Sequence, residues 1–160
     1  MTFPYIIAIA DELKELRKAY EGAHPKQRRS VALKRINDPS AYPNDLVTRV
    51  SAIEAYARSL LANAGAKNNE EVLKRYKRYA RNEATSLVEG YLKCHAIKPR
   101  DYFGPEIWEL FRVAVDARNI LVHECTYLDA SKYLPLAHAC TEVFSHLGRL
   151  EDQPTSKNAA

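Results

Sequence analysis

Residues 105–125 read PEIWELFRVAVDARNILVHEC, and this stretch decides the fold. Its apolar residues recur at helical spacing, and Pro105 suits a first helical turn, where its missing N–H costs nothing. The stretch predicts a helix over 105–125. On a wheel of about 100° per residue, Glu109, Arg112, Asp116, Asn119 and His123 fall within an arc of roughly 80°. Nearly everything else is apolar: Ile107, Leu110, Phe111, Ala114, Val115, Leu121 and Val122. Such a helix belongs inside a bundle, with its polar stripe at an edge. Arg118 is the exception. It falls near the middle of the apolar face, between Phe111, Val115 and Val122, and about 140° from His123.

The flanking sequence is helical too, and no alternating strand pattern appears. Ile6, Ile9, Leu13, Leu16 and Tyr20 predict a helix over 4–21, ended by Gly22 and Pro25. Residues 23–45 form a basic connector, with a short helix near 28–36. Leu46, Val50, Ile53, Ala57, Leu60, Leu61 and Ala64 make one stripe over 45–64, and Gly65 stops it. A helix from Asn68, a polar cap three residues before Glu71, runs to about 95 with a bend near Thr85–Gly90. KPRDYFGP reads as a loop, and a last helix spans 134–149 with Pro135 at its start. The expected architecture is all-α: a single-domain bundle of about five helices over 1–150, then a flexible polar tail over 151–160.

Composition bounds the function. Of 160 residues, 46% are hydrophobic and 28% charged, a soluble globular balance. No apolar run approaches the ~18 residues that span a bilayer. The N-terminal stretch has no basic segment before its apolar part, so it reads as a helix, not a signal peptide. Three cysteines, Cys94, Cys125 and Cys140, without framework spacing suit free thiols in a reducing cytoplasm.

Arg118-Asn119-Ile120-Leu121-Val122-His123 resembles the signature of the HEPN superfamily: an arginine, a polar residue beside it, and a histidine after four to six intervening positions. The lead-in IWELFRVAVDA, the following ECTYLDASKYL and the earlier VSAIEAYARSLL are similar in character to the family's helices, so the resemblance covers about 45–150. It implies a helical bundle that dimerises through the motif region. Many members are metal-independent endoribonucleases, including toxins and phage-defence effectors. Others are non-catalytic modules that bind nucleic acid, nucleotide or a protein partner. On this resemblance Arg118 would bind phosphate, His123 would be the acid/base and Asn119 would position. An antitoxin or regulatory protein is a further implied partner, and no cofactor is.

The residue types suit that chemistry. Metal-free RNA cleavage uses the ribose 2′-hydroxyl as nucleophile, so a base must take its proton. Histidine's free pKa of ~6.5 fits that task. Arginine's planar fork holds phosphate at any useful pH. Asn119 lies one turn before His123 and can orient the ring or the substrate. One histidine serves only one end of the proton traffic, and a symmetric homodimer would supply a second. The competing account for Arg118 is structural: a buried guanidinium paired with a carboxylate of the 45–64 helix, such as Glu54. For His123 it is a partly buried ring with one hydrogen bond.

KRYKRYAR at 74–81 puts Lys74, Arg78 and Arg81 on one helix face, with Tyr76 and Tyr79 among them. This reads either as an RNA-contacting stripe or as a solvated face whose tyrosines pack inward. Lys26, Arg28, Arg29, Lys34 and Arg35, with no acid between them, form a second basic patch. Metal binding is not expected. His123-x-Cys125 and His138-x-Cys140 point about 200° apart on a helix, and no CxxC exists. Cys94 and Cys140 read as small core residues.

Overall fold

The computed structural model describes residues 2–39 and 42–153. Its elements are α1 (Pro4–Glu21), α2 (Pro25–Ile36), α3 (Tyr42–Asn63), α4 (Asn69–Arg78), α5 (Ala84–Cys94), α6 (Pro99–Phe103), α7 (Pro105–His123) and α8 (Ala130–Glu151), with no strand among the described residues. The all-α expectation holds, but eight helices replace the expected five. Residues 154–160 of the expected tail lie outside the described residues, and Glu151 closes α8.

Helix α3 is the axis, packing on α5, α7 and α8, while α1 packs on α7. The stripe anticipated on α3 is what it buries: Leu46, Val50, Ile53 and Ala57 are fully covered. They meet Phe111, Ala114 and Val115 of α7, Leu136, Val143 and Leu147 of α8, and Leu87, Val88 and Leu92 of α5 in one core. Each large aliphatic side chain buried in this way stabilises the fold by about 1.5–3 kcal/mol. Truncating Phe111, which is 0% exposed, to alanine should cost about 3–5 kcal/mol.

Three boundaries differ from the sequence reading, each for a local reason. The helix expected over 68–95 is two helices, broken at 79–83 rather than bent at 85–90. Asn68 caps α4 as anticipated, its Oδ1 accepting from the Glu71 N–H at 2.9 Å. Helix α4 buries no side chain, whereas α5 buries Ala84, Leu87, Val88, Tyr91 and Leu92. The break lets each segment take its own direction across α3. It is pinned by Arg58, whose Nε donates to the Tyr79 carbonyl at 3.2 Å. Helix α8 starts at Ala130, not near 134, because Asp129 caps it: Oδ1 accepts from the Ser131 N–H at 2.9 Å. Pro135 therefore lies inside the helix. The KPRDYFGP stretch contains α6, and Gly104 (φ +87°) makes the left-handed corner into α7.

Helix α2 begins at Pro25, earlier than expected, where the His24 ring accepts from the Lys26 N–H and Gln27 closes a capping box. None of its side chains is buried.

Candidate functional site

Helix α7 ends at His123, and Cys125 turns the chain with φ +48°. This left-handed turn at a non-glycine residue is unfavourable by roughly 1–2 kcal/mol. It turns residues 124–127 back across α1 and α2. The Thr126 hydroxyl, fully buried, donates to the Tyr20 hydroxyl. Arg28 Nη2 donates to the Glu124 carbonyl at 3.1 Å and to its Oε2 at 2.6 Å, with the guanidinium 4.5 Å from the Tyr20 ring centroid. Arg35 Nη1 donates to the Thr126 carbonyl at 3.1 Å.

His123 is exposed, and Asn119, one turn earlier, is half-buried. With Ile120, Glu124 and Arg17 of α1 they line an open cleft of about 180 Å³. The motif's Asn–His pair thus shares a face, as its spacing requires. Arg17 is exposed and in no ion pair within 4 Å among the described residues. Its charge reaches Asp116, the next polar residue up α7. Asp116 is itself exposed, yet protein around its carboxyl removes enough water to raise its pKa, against the pull of Arg17. An accessible imidazole, an amide and an unpaired guanidinium around one cleft can bind an anion and pass a proton.

Arg118 stands elsewhere. Its Nη2 donates to Glu54 Oε2 at 2.6 Å, and Nη1 approaches Ser51 Oγ at 3.5 Å. Its side chain is only 15% exposed, and its Nε is buried without a hydrogen-bond partner among the described residues. Glu54 also accepts from Arg58 at 3.0 Å, so one carboxylate holds two guanidinium groups. The pairing with Glu54 that the helix wheel suggested is present. Arg118 braces α7 on α3 and does not line the His123 cleft within the chain. Val122, expected on the apolar face, is 51% exposed.

The basic stripe starts at the C-terminal end of α3, and its Tyr79 end returns to Arg58, which shares Glu54 with Arg118. Arg75 bonds the Ala64 carbonyl there, whereas Arg118 meets Ser51. The rise from Ser51 to Ala64 is about 20 Å of helix. Lys74 and Arg78 are exposed on α4, and Lys74 pairs with Glu70 at 3.1 Å. Arg81 does not share their face, because α4 ends at Arg78 and Arg81 sits in the turn beyond. Tyr76 is 41% exposed and Tyr79 packs partly against the core, so only one of the two tyrosines turns inward.

Cys140 is buried, and burial pushes its thiol pKa up to about 12, so it stays protonated and unreactive. Cys94 is exposed, not a core residue, because α5 turns its apolar face away from it. Among the described residues no three His, Cys, Asp or Glu side chains gather as metal ligands, and no helix is long and apolar enough to cross a membrane.

Arg17 and Glu124 are the cleft residues that sequence reasoning missed. Arg17 looks like any solvated cation of α1, and only the packing of α1 on α7 singles it out. No family model, curated protein or solved structure matches the chain.

Proposed function

We propose that the protein is a HEPN-like, metal-independent endoribonuclease that acts as a homodimer, in a toxin-like or phage-defence setting. The observation that supports it is the cleft at the end of α7. There an exposed His123 stands beside Asn119 and faces the unpaired Arg17. His123 takes the proton of a ribose 2′-hydroxyl, whose oxygen attacks the adjacent phosphorus. The 5′-oxygen leaves and takes a proton from the His123 of a second copy. Asn119 holds the ring or the sugar, and Arg17 supplies positive charge on the cleft side. Arg118 fixes the angle of α7 and reaches a phosphate only if its bond to Glu54 opens.

One observation favours a second reading, a non-catalytic module that binds nucleic acid, nucleotide or a protein partner. The motif arginine is already paired with Glu54. A single experiment separates the two. Incubated with unstructured RNA in EDTA, the nuclease yields fragments ending in 2′,3′-cyclic phosphate and 5′-hydroxyl. His123→Ala then loses cleavage on the order of 10²-fold or more. A wild-type preparation that binds RNA but leaves it intact identifies the module. Light scattering at micromolar concentration should report twice 18.2 kDa, and a strict monomer would remove the composite site.

A further inference from the structure

We propose that α2, together with Arg17, is the track along which single-stranded RNA reaches the His123 cleft; this rests on the ribonuclease reading above. Helix α2 is anomalous as a structural element. It buries none of its twelve residues, so packing does not account for its presence. It carries five cations and no acid. Polar and cation–ring contacts hold it: one is to Tyr20 of α1, and others go to the segment that follows the motif. Arg28 grips Glu124, a residue of the cleft wall, and Arg35 grips Thr126. Lys34 and Arg35 lie 5.4 and 5.5 Å from the Tyr127 ring centroid. These contacts place a basic helix beside the cleft.

Fixing the helix leaves charge over. Lys26 and Arg29 are exposed, in no ion pair within 4 Å among the described residues, and three residues apart on one face. Arg17 is likewise unpaired and already in the cleft wall. Unpaired cations on a helix tied to the cleft wall, together with Arg17 in that wall, fit a polyanion whose phosphates are spaced along a flexible backbone. The rings of Tyr20 and Tyr127 lie beneath the same helix, each with an α2 cation over its face. A membrane surface fits less well. Of the apolar residues of α2, Leu33 and Ile36 are exposed and share a face, but Val31 lies roughly 150° away, so two residues stand where an interfacial helix inserts a wide stripe.

The test uses the full chain and a fluorescent single strand of about 15 nucleotides in fully 2′-O-methylated form. That strand has no free 2′-hydroxyl and cannot be cut. Binding is followed by anisotropy across a salt series. One variant combines Arg17→Glu, Lys26→Glu and Arg29→Glu; a second combines Lys74→Glu, Lys77→Glu and Arg78→Glu. The first should bind on the order of 10-fold more weakly, with its log–log salt slope flatter by about two, at ~0.7 per lost phosphate contact. The second should lose less. Equal losses, or a larger loss from the α4 variant, overturn the track, as does wild-type protein that binds phosphatidylserine vesicles through α2 and ignores the strand. If reversal unfolds the chain by circular dichroism, the same positions changed to glutamine must give the same ranking. Cleavage of the unmodified strand runs in parallel. Wild type that cuts, with an α2 variant that cuts and binds equally well, sinks the track alone. Binding through α2 without any cutting sinks the nuclease reading and keeps α2 as the RNA surface.

Discussion

At one end of α3, α4 sets Lys74 against Glu70 and Arg75 against Glu71, each one turn back on its own surface. At the other end, α2 carries Lys26, Arg28, Arg29, Lys34 and Arg35 with no acid of its own, and borrows Glu124 from the end of α7. A tally of basic residues ranks the two helices together, and the aromatic interleaving of KRYKRYAR even favours α4. Neighbouring carboxylates and place in the bundle reverse that order. Half of the α4 cations are neutralised locally, by carboxylates one turn back on the same helix. The α2 cations meet the segment just past the histidine, Arg28 at Glu124 and Arg35 at Thr126. A charged helix is therefore better judged by which of its charges remain unpaired, and by what they face, than by their number.

Several substitutions put that contrast at risk. The largest effect should come from His123→Ala: cleavage should fall on the order of 10²-fold or more, while affinity for an uncleavable strand barely moves. An equal loss of both would mean that the imidazole binds rather than transfers protons. Next comes Arg118→Ala, which leaves Glu54 with one guanidinium instead of two. Loss of this largely buried partner should destabilise the fold by about 2 kcal/mol in urea unfolding. Arg118→Met should recover part of that loss by filling the space. An unchanged urea midpoint for Arg118→Ala would show that the brace is not structural.

A smaller change is expected from Glu124→Gln. Its pair with Arg28 is about one-third exposed, so global stability should shift by no more than about 1 kcal/mol. Amide exchange over residues 25–36 should nonetheless accelerate, because α2 has no buried face to hold it. Cooperative loosening of the whole chain instead would show that α2 belongs to the core. Lys74→Gln should do least. Its pair with Glu70 is about three-quarters exposed, and the melting temperature should stay put within error.

Parts of this arrangement were legible beforehand, for physical reasons. The α3 stripe, the cap at Asn68 and the first-turn proline at Pro105 are written in local spacing. So was the conflict at Arg118, because a guanidinium on an apolar face must find a carboxylate, and Glu54 stands on the right face of α3. The start of α8 was misplaced because Pro135 imitates a first-turn proline, while the cap two residues before Ser131 was overlooked. The break at 79–83 has no glycine or proline to announce it. Arg17 was invisible for a different reason. Its neighbours in the cleft are about a hundred residues away, and nothing on α1 separates it from Lys14 or Lys18.

The chain contains a single tryptophan, and Trp108 is 3% exposed, stacked on Phe103 at 5.7 Å between ring centroids and tilted against Phe111 at 5.6 Å. It sits in the first turn of α7, about 22 Å of helix before His123. Its emission should therefore be blue-shifted in the native protein and should move to the red only when the core itself opens. That gives the molecule an intrinsic optical label at the end of α7 opposite the cleft. A variant that abolishes activity while leaving this emission unmoved has lost chemistry, and one that reddens it has lost the bundle.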